Sequence, residues 1–278
     1  MKTLRQILTD YKQQKKAIPS FNIDSFEIYQ AVESVVSETG LPCLVQLSAG
    51  EDKFIQAERL FILVKKAQID GLPIYLNMDH GNNPDRLEEL VSLGFDMVHL
   101  DNSALEYSDN LAKTTSFVSY VRSINSDIVI EGEFNKINLV QNGISPDSFT
   151  RVDQALEFVS KTNVDLLAVS IGNLHGVSTT LPEKIDLNLL TQIATVLPNK
   201  FLTLHGGSGI SSDQIYAAIN TGIVKININT DMRLMFKSSL KKILETNESE
   251  KIYEYLNLVI SDVKEIIKEK ILLFSSEV

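Results

Sequence analysis

The chain has 278 residues, 44% hydrophobic and 22% charged, which suits a globular protein with a large apolar core and excludes extended disorder. A net charge of -10 argues against a broad electrostatic footprint on nucleic acid or an anionic membrane, so small molecules are the expected partners. A single cysteine, Cys43, excludes an internal disulfide and a cysteine-based zinc site, leaving His, Asp and Glu to hold any metal.

The start of the chain turns polar too soon to form a signal-peptide core, and no stretch reaches transmembrane length, so the expected location is cytoplasmic. Leu4 to Lys16 has helical spacing and a basic end, suiting a capping helix, and Ala17 to Asn22 reads as a short strand. Ser25 is placed to cap the next helix, with Ile28, Ala31, Val32 and Val35 on its apolar face and Gly40 to close it. Leu44 to Leu47 forms the second strand, ending at Ser48-Ala49-Gly50. A helix over Phe54 to Ile69 leads to an apolar run from Leu72 that stops abruptly at Asp79-His80-Gly81.

The alternation continues with helix Pro84 to Leu93 and strand Met97 to Leu100, then helix Ser108 to Ile124 and strand Ile128 to Glu133. Helix Val152 to Lys161 precedes strand Leu166 to Ile171, and a helix around Leu187 to Leu197 precedes Phe201 to His205. A helix around Asp213 to Asn220 leads to strand Val224 to Ile228, and helical stretches over Met232 to Leu244 and Ile252 to Ile271 finish the chain. Eight strand-like segments of near-continuous Ile, Val and Leu are what a closed parallel barrel needs, because its strands are buried on both faces. The expectation is one α/β domain over 1–278, a (β/α)8 TIM barrel with extra C-terminal helices from about 231; a doubly wound open sheet is the alternative. Polar residues at the C-terminal ends of nearly every strand favour the barrel, whose active sites are built there.

Three of the four histidines, His80, His175 and His205, follow strand ends and would converge at one mouth. Three imidazoles with a fourth position open match a catalytic zinc site, against the plainer reading of hydrogen-bonded lip residues. His99 lies inside a strand and reads as a packed core residue. Asp79 adjoins His80, so both face the mouth only if the chain bends, which Gly81 permits. An acid beside a metal-held substrate suits proton transfer; orienting a histidine is its other reading. Glu131 and Glu133 share a strand face and would gather with Asp101, to bind cations or to hold histidine ligands, or else as ordinary strand-end salt bridges. His205-Gly206-Gly207-Ser208-Gly209 opens a helix, and Asn227-Ile228-Asn229-Thr230 ends the last strand; together they suit one phosphate, though each alone reads as a turn.

These segments, in this order and spacing, resemble the class II, metal-dependent fructose-bisphosphate and tagatose-bisphosphate aldolase family. The matching stretches, within about Leu4 to Met235, are Ala17 to Asn22, Asp79 to Gly81, Leu100 to Ser103, Ile130 to Glu133, Ala168 to Gly176, His205 to Ile210 and Lys225 to Thr230. The resemblance implies that His80, His175 and His205 hold a catalytic Zn2+, with cobalt or another divalent ion able to substitute. It implies Asp79 as proton donor, and Asp101 and Glu133 at an additional or alternative cation position. It further implies that Gly176, Gly206, Gly207, Ser208, Asn227, Asn229 and Thr230 hold the phosphate and dihydroxyacetone portion, with Asn22 and Ser48 nearby. The implied activity is reversible cleavage of a ketose phosphate or bisphosphate, such as fructose 1,6-bisphosphate, to dihydroxyacetone phosphate and an aldehyde, by a homo-oligomer such as a dimer or tetramer.

Two departures bear on substrate. The family's Gly-Gly-Glu-Asp-type loop after the paired glutamates supplies a further acid, and Phe134 to Gly143 has none, so a second acid role is unassigned. Many members follow the His-Gly pair with Tyr and Lys, where this chain has Val177-Ser178-Thr179. A preference for another sugar phosphate is therefore open, as are a binding-only descendant and a zinc-dependent hydrolase, the last of which leaves the phosphate loops unexplained.

Overall fold

The computed structural model describes residues 1–143, 148–176 and 184–276. Among these, eight parallel strands close into a barrel in sequence order, settling the choice against an open sheet. They are β1 (Ile18–Asn22), β2 (Cys43–Leu47), β3 (Ile74–Gly81), β4 (Met97–Asp101), β5 (Val129–Glu133), β6 (Leu166–Ala168), β7 (Phe201–Leu204) and β8 (Ile223–Ile228), with β8 pairing back onto β1. Around them run α1 (Leu4–Gln13), α2 (Phe26–Thr39), α3 (Ala49–Ile55), α4 (Ala57–Ile69), α5 (Pro84–Leu93), α6 (Tyr107–Ile124), α7 (Val152–Thr162), α8 (Leu187–Val196), α9 (Ser212–Thr221), α10 (Thr230–Thr246) and α11 (Ile252–Ser275). No helix among the described residues is long and apolar enough to cross a membrane.

Local chemistry sets most boundaries where the spacing puts them. Ser25 Oγ accepts from the Ile28 N–H to start α2, and Gly40 ends it in the left-handed conformation at φ 66°. Asn83 caps α5 ahead of Pro84, whose missing N–H costs nothing in the first turn. Two expectations shift. The helix expected from Phe54 starts earlier and is broken: Ser48 and Glu51 form a capping box for α3, Gln56 turns the chain at φ 68°, and Asp52 Oδ1 accepts from the Ala57 N–H to restart it as α4. The strand expected to reach Ile171 leaves the sheet after Ala168, because Thr150 Oγ1 takes the Ser170 N–H and Asn173 Oδ1 takes that of Ile171.

The inward faces of the strands form layers. At the base, Leu4, Leu8 and Tyr11 of α1 plug the barrel against Ile18, Leu44, Tyr75, Met97, Val129 and Leu166. Two residues further along, the same alternation buries Ser20, Gln46, Asn77, His99 and Glu131. Two further still, it brings Asn22, Asp79, Asp101 and Glu133 to the upper end. A buried polar layer therefore separates the apolar plug from the mouth.

Candidate active site

A cavity of about 380 Å³ opens at the C-terminal mouth. Its lining includes Asp79, His80, His175 and His205 with Asn22, Ser48, Gly176, Gly206, Ser208, Asn227, Asn229 and Thr230. Gly207 is not on this lining: its N–H donates to the Asn227 carbonyl at 2.9 Å, and a Cβ there would come within 2.5 Å of Ile226 Cγ2. Gly207 therefore seats the loop on β8. Gly206 is required for closeness as well as conformation, since at φ 65° its Cβ would lie 1.8 Å from the Leu174 carbonyl oxygen.

The bend that turns Asp79 and His80 into the same space falls on His80 itself, at φ 106°, rather than on Gly81. The β3–β4 register slips between Met78 and Gly81, so His80 lies inside the strand yet escapes its alternation. Gly81 serves a different need: a Cβ there would meet Leu87 Cδ2 at 2.5 Å. The Asp79 carboxylate ends 4.0 Å from His80 Nε2, fixed by Asn227 Nδ2 donating to Oδ1 at 3.0 Å and Gln46 Nε2 donating to Oδ2 at 3.1 Å. Burial opposes its ionisation, and His80, His99, His205 and Lys225 outweigh it, holding the carboxyl well below the usual range.

The imidazoles sit in different electrostatic surroundings. His205 is fully buried; its Nε2–H donates to Glu131 Oε1 at 2.6 Å, leaving Nδ1 as an acceptor 2.9 Å from His80 Nε2. Burial pushes His205 down to about 3, against the pull of Glu131, and burial with the His80 charge pushes His175 down to about 4. Both are neutral donors at ordinary pH. Burial opposes a charged His80, but Asp79 and Asp101 outweigh it, and its Nδ1 lies 2.9 Å from Asp101 Oδ2.

These donors fit a divalent cation. Single ligand atoms of Asp79, His80, His99 and His205 lie within 4.8 Å of one another, as do those of His80, Asp101 and Glu133, and Glu133 Oε2 is buried without a hydrogen-bond partner. His175 shares the cavity but stands outside both groups, its ring centroid 5.3 Å from that of His80 and 5.8 Å from that of His205. It lies well past β6, in a loop tied by its N–H to the Asn138 carbonyl and by its carbonyl to the Val140 N–H. Val177-Ser178-Thr179 fall outside the described residues.

Several residues of the site escaped the sequence reading. His99 is buried as expected, yet its nitrogens lie 3.5 to 3.8 Å from Asp79, Glu131 and Glu133, in the polar layer rather than the apolar core. Its signal was position, two residues before Asp101 on the inward face of β4. Lys225, two before Asn227, donates to Glu131 Oε2 at 3.0 Å and so backs the acid that holds His205. Glu51 receives the Ser48 N–H at 2.6 Å and Asn22 Nδ2 at 2.9 Å; the Ser-x-x-Glu spacing was the clue.

Comparison with known proteins agrees with this layout. The family model described as fructose-bisphosphate aldolase class-II matches residues 2–277. A fructose-bisphosphate aldolase of Streptococcus pneumoniae serotype 4 is 30% identical over 276 residues, covering 94% of this chain and 93% of its own. The crystal structure of the YdjI aldolase from Escherichia coli K12 superposes with a TM-score of 0.86 at 29% identity, covering 99% of this chain and 97% of its own. A fructose-bisphosphate aldolase structure from Campylobacter jejuni shares the fold, with a TM-score of 0.82 at 18% identity over 98% of this chain and 93% of its own. With its whole length matched and its mouth built from imidazoles, carboxylates and a glycine loop, the chain belongs to the class II fructose-bisphosphate aldolase family, metal-dependent lyases that act on sugar phosphates.

Proposed function

We propose that this protein is a zinc-dependent aldolase that reversibly cleaves a ketose phosphate to dihydroxyacetone phosphate and an aldehyde. The observation that carries the reading is the Asp79 carboxylate, held in place by two amides 4.0 Å from His80 Nε2, in the same cavity as His175, His205 and the Gly206–Ser208 loop. His80, His175 and His205 would hold the zinc, with Asp101 and Glu133 serving a second cation. Bound there, zinc would polarise the ketose carbonyl and offset the charge that develops on its oxygen as the carbon–carbon bond breaks.

The residues of this chain do the rest. Asp79 accepts the proton of the hydroxyl next to the breaking bond and returns it in the condensation direction. Gln46 and Asn227 keep the carboxylate aimed, and Glu131 holds the His205 ring so that Nδ1 faces the cavity. Gly176, Gly206, Ser208 and Thr230 bound the space for the phosphate, where backbone N–H groups and the start of α10 favour an anion. Gly207 supports that loop from behind. Asn22, Ser48, Asn227 and Asn229 face the sugar with amide and hydroxyl groups. The reading also carries a cytoplasmic homo-oligomer, a dimer or tetramer, checked by light scattering.

The test is retro-aldol cleavage of a panel of ketose phosphates, before and after chelation and zinc return. Chelation is expected to lower the rate by about 100-fold or more and zinc to restore it. Turnover that survives complete metal removal, or that Asp79→Ala retains in full, would overturn the assignment.

A further inference from the structure

The cavity must also neutralise its substrate. Its lining contains one lysine or arginine side chain among the described residues, Arg233 in the first turn of α10. The stretches 144–147 and 177–183 contain no lysine or arginine in sequence. That one guanidinium is already engaged. Its Nε and Nη2 donate to the two Asp24 oxygens, and Nη2 also donates to Glu51 Oε1 at 2.5 Å. Two carboxylates thus face one cation.

Glu51 is 5% exposed and accepts from four donors, the Ser48 N–H and Asn22 Nδ2 on Oε2 and Arg233 Nη2 and Asn229 Nδ2 on Oε1, while burial and the Asp24 acid beside it push its pKa up. Such a shell fixes the Glu51 carboxyl group against Arg233. It also fixes the Asn229 amide, whose Nδ2 is turned to Glu51, so its buried Oδ1 is left without a partner. Asn227 repeats the pattern: Nδ2 is spent on Asp79 and Oδ1 is unpartnered. The amide oxygens still open beside the reacting centre are therefore acceptors, next to the Ser48, Ser208 and Thr230 hydroxyls. Acceptors take hydroxyl protons and repel phosphate oxygens.

We infer that this site takes ketose 1-phosphates whose aldehyde half is uncharged and hydroxylated, and that Arg233, Asp24 and Glu51 discriminate against a second phosphate. The inference rests on the aldolase reading and narrows it. One phosphate has the glycine loop and the α10 N-terminus, whereas a second dianion would have to compete with two carboxylates for one guanidinium.

The experiment compares fructose 1-phosphate with fructose 1,6-bisphosphate, and tagatose 1-phosphate with tagatose 1,6-bisphosphate, so that each pair differs only in the second phosphate. Zinc-loaded wild-type protein, Asp24→Asn and Glu51→Gln are assayed for dihydroxyacetone phosphate release and, by calorimetry, for binding. The wild type is expected to favour the monophosphate of the better pair by about tenfold or more in kcat/KM, given the cost of juxtaposing like charges. Asp24→Asn, which leaves the capping box of α3 intact, should reduce that ratio several-fold, and Glu51→Gln should reduce it further. A wild-type preference for the bisphosphate, or a ratio unmoved in both variants, would overturn the inference. Selective monophosphate binding without cleavage would overturn the aldolase reading while supporting this one. Binding of no sugar in either pair would overturn both.

Discussion

At the base of the barrel, charged groups come in closed sets. Asp165 Oδ1 accepts from Arg5 at 2.6 Å, and Oδ2 accepts from Arg122 and from the Ile130 N–H, under the apolar plug of Leu4, Leu8 and Tyr11. At the mouth and in the polar layer just beneath it, Glu133 Oε2, both nitrogens of His99 and the amide oxygens of Asn227 and Asn229 are buried without a hydrogen-bond partner. An unpaired buried polar atom costs about 1–3 kcal/mol, so the mouth carries a penalty that a ligand can relieve, and among the described residues the base carries none of that kind. Changes at the mouth should therefore appear in rate and ligand affinity, and changes at the base in stability.

The sharpest test of that division is Asp79→Asn. Losing the proton acceptor should lower kcat by about 10²–10⁴-fold while far-ultraviolet circular dichroism stays that of the wild type. Rate loss that merely tracks a loss of folded protein would break the comparison. Glu131→Gln lies between the two regions, because Glu131 pairs the fully buried Lys225 and also orients His205. Leaving that ammonium without a counter-charge should cost about 3–5 kcal/mol in urea unfolding, and loosening His205 should weaken zinc binding by about 10- to 100-fold. Stability lost without a change in zinc affinity would place Glu131 with the base alone.

Asp165→Asn should affect stability only, by about 1–3 kcal/mol at pH 7. Burial works against this carboxylate, and Arg5, the Ile130 N–H and Arg122 outweigh it, so its folded pKa lies below the unfolded value. At intermediate pH the unfolded chain then binds more protons, so the contribution is fully present above the unfolded carboxylate range of about 4 and disappears as pH falls through the folded value. The gap between wild type and variant, followed by urea titration, should close on acidification. A gap that widens in acid would reverse the assignment.

How far the sequence reveals each region follows from the range of the forces involved. The eight strands and their helices were legible because apolar runs and caps such as Ser25, Pro84 and Gly40 act within a few residues. Asp79, His80 and His205 were legible because polar groups ending apolar strands stand out against local composition. The placement of His175 depends on a long loop pinned to Asn138 and Val140, and Arg5 meets Asp165 across most of the barrel; neither contact has a local signature. His99 and Lys225 were masked by the strands that carry them, since an isolated polar residue in an apolar run does not announce which way it faces. Glu51 and Arg233 become a pair only when the β1, β2 and β8 loops meet.

Backbone strain follows the same division and yields the smallest effect. Near the mouth, His80 at φ 106° and Gln56 at φ 68°, ψ 115° lie outside the ordinary left-handed region, whereas Asn163 at φ 56°, ψ 32° caps α7 within it. At His80 the conformation places a ring in the cavity, so relieving it would destroy the site. Gln56 has an exposed side chain with no capping hydrogen bond, so its strain can be removed without touching the cavity. Gln56→Gly should release about 1–3 kcal/mol of backbone strain, less about 0.5–1 kcal/mol for the extra freedom of the unfolded chain. A net gain of about 1 kcal/mol in the urea midpoint, with kcat unchanged, would show that strain at the rim is separable from function. A loss of stability would mean that the break between α3 and α4 is held by its side chain.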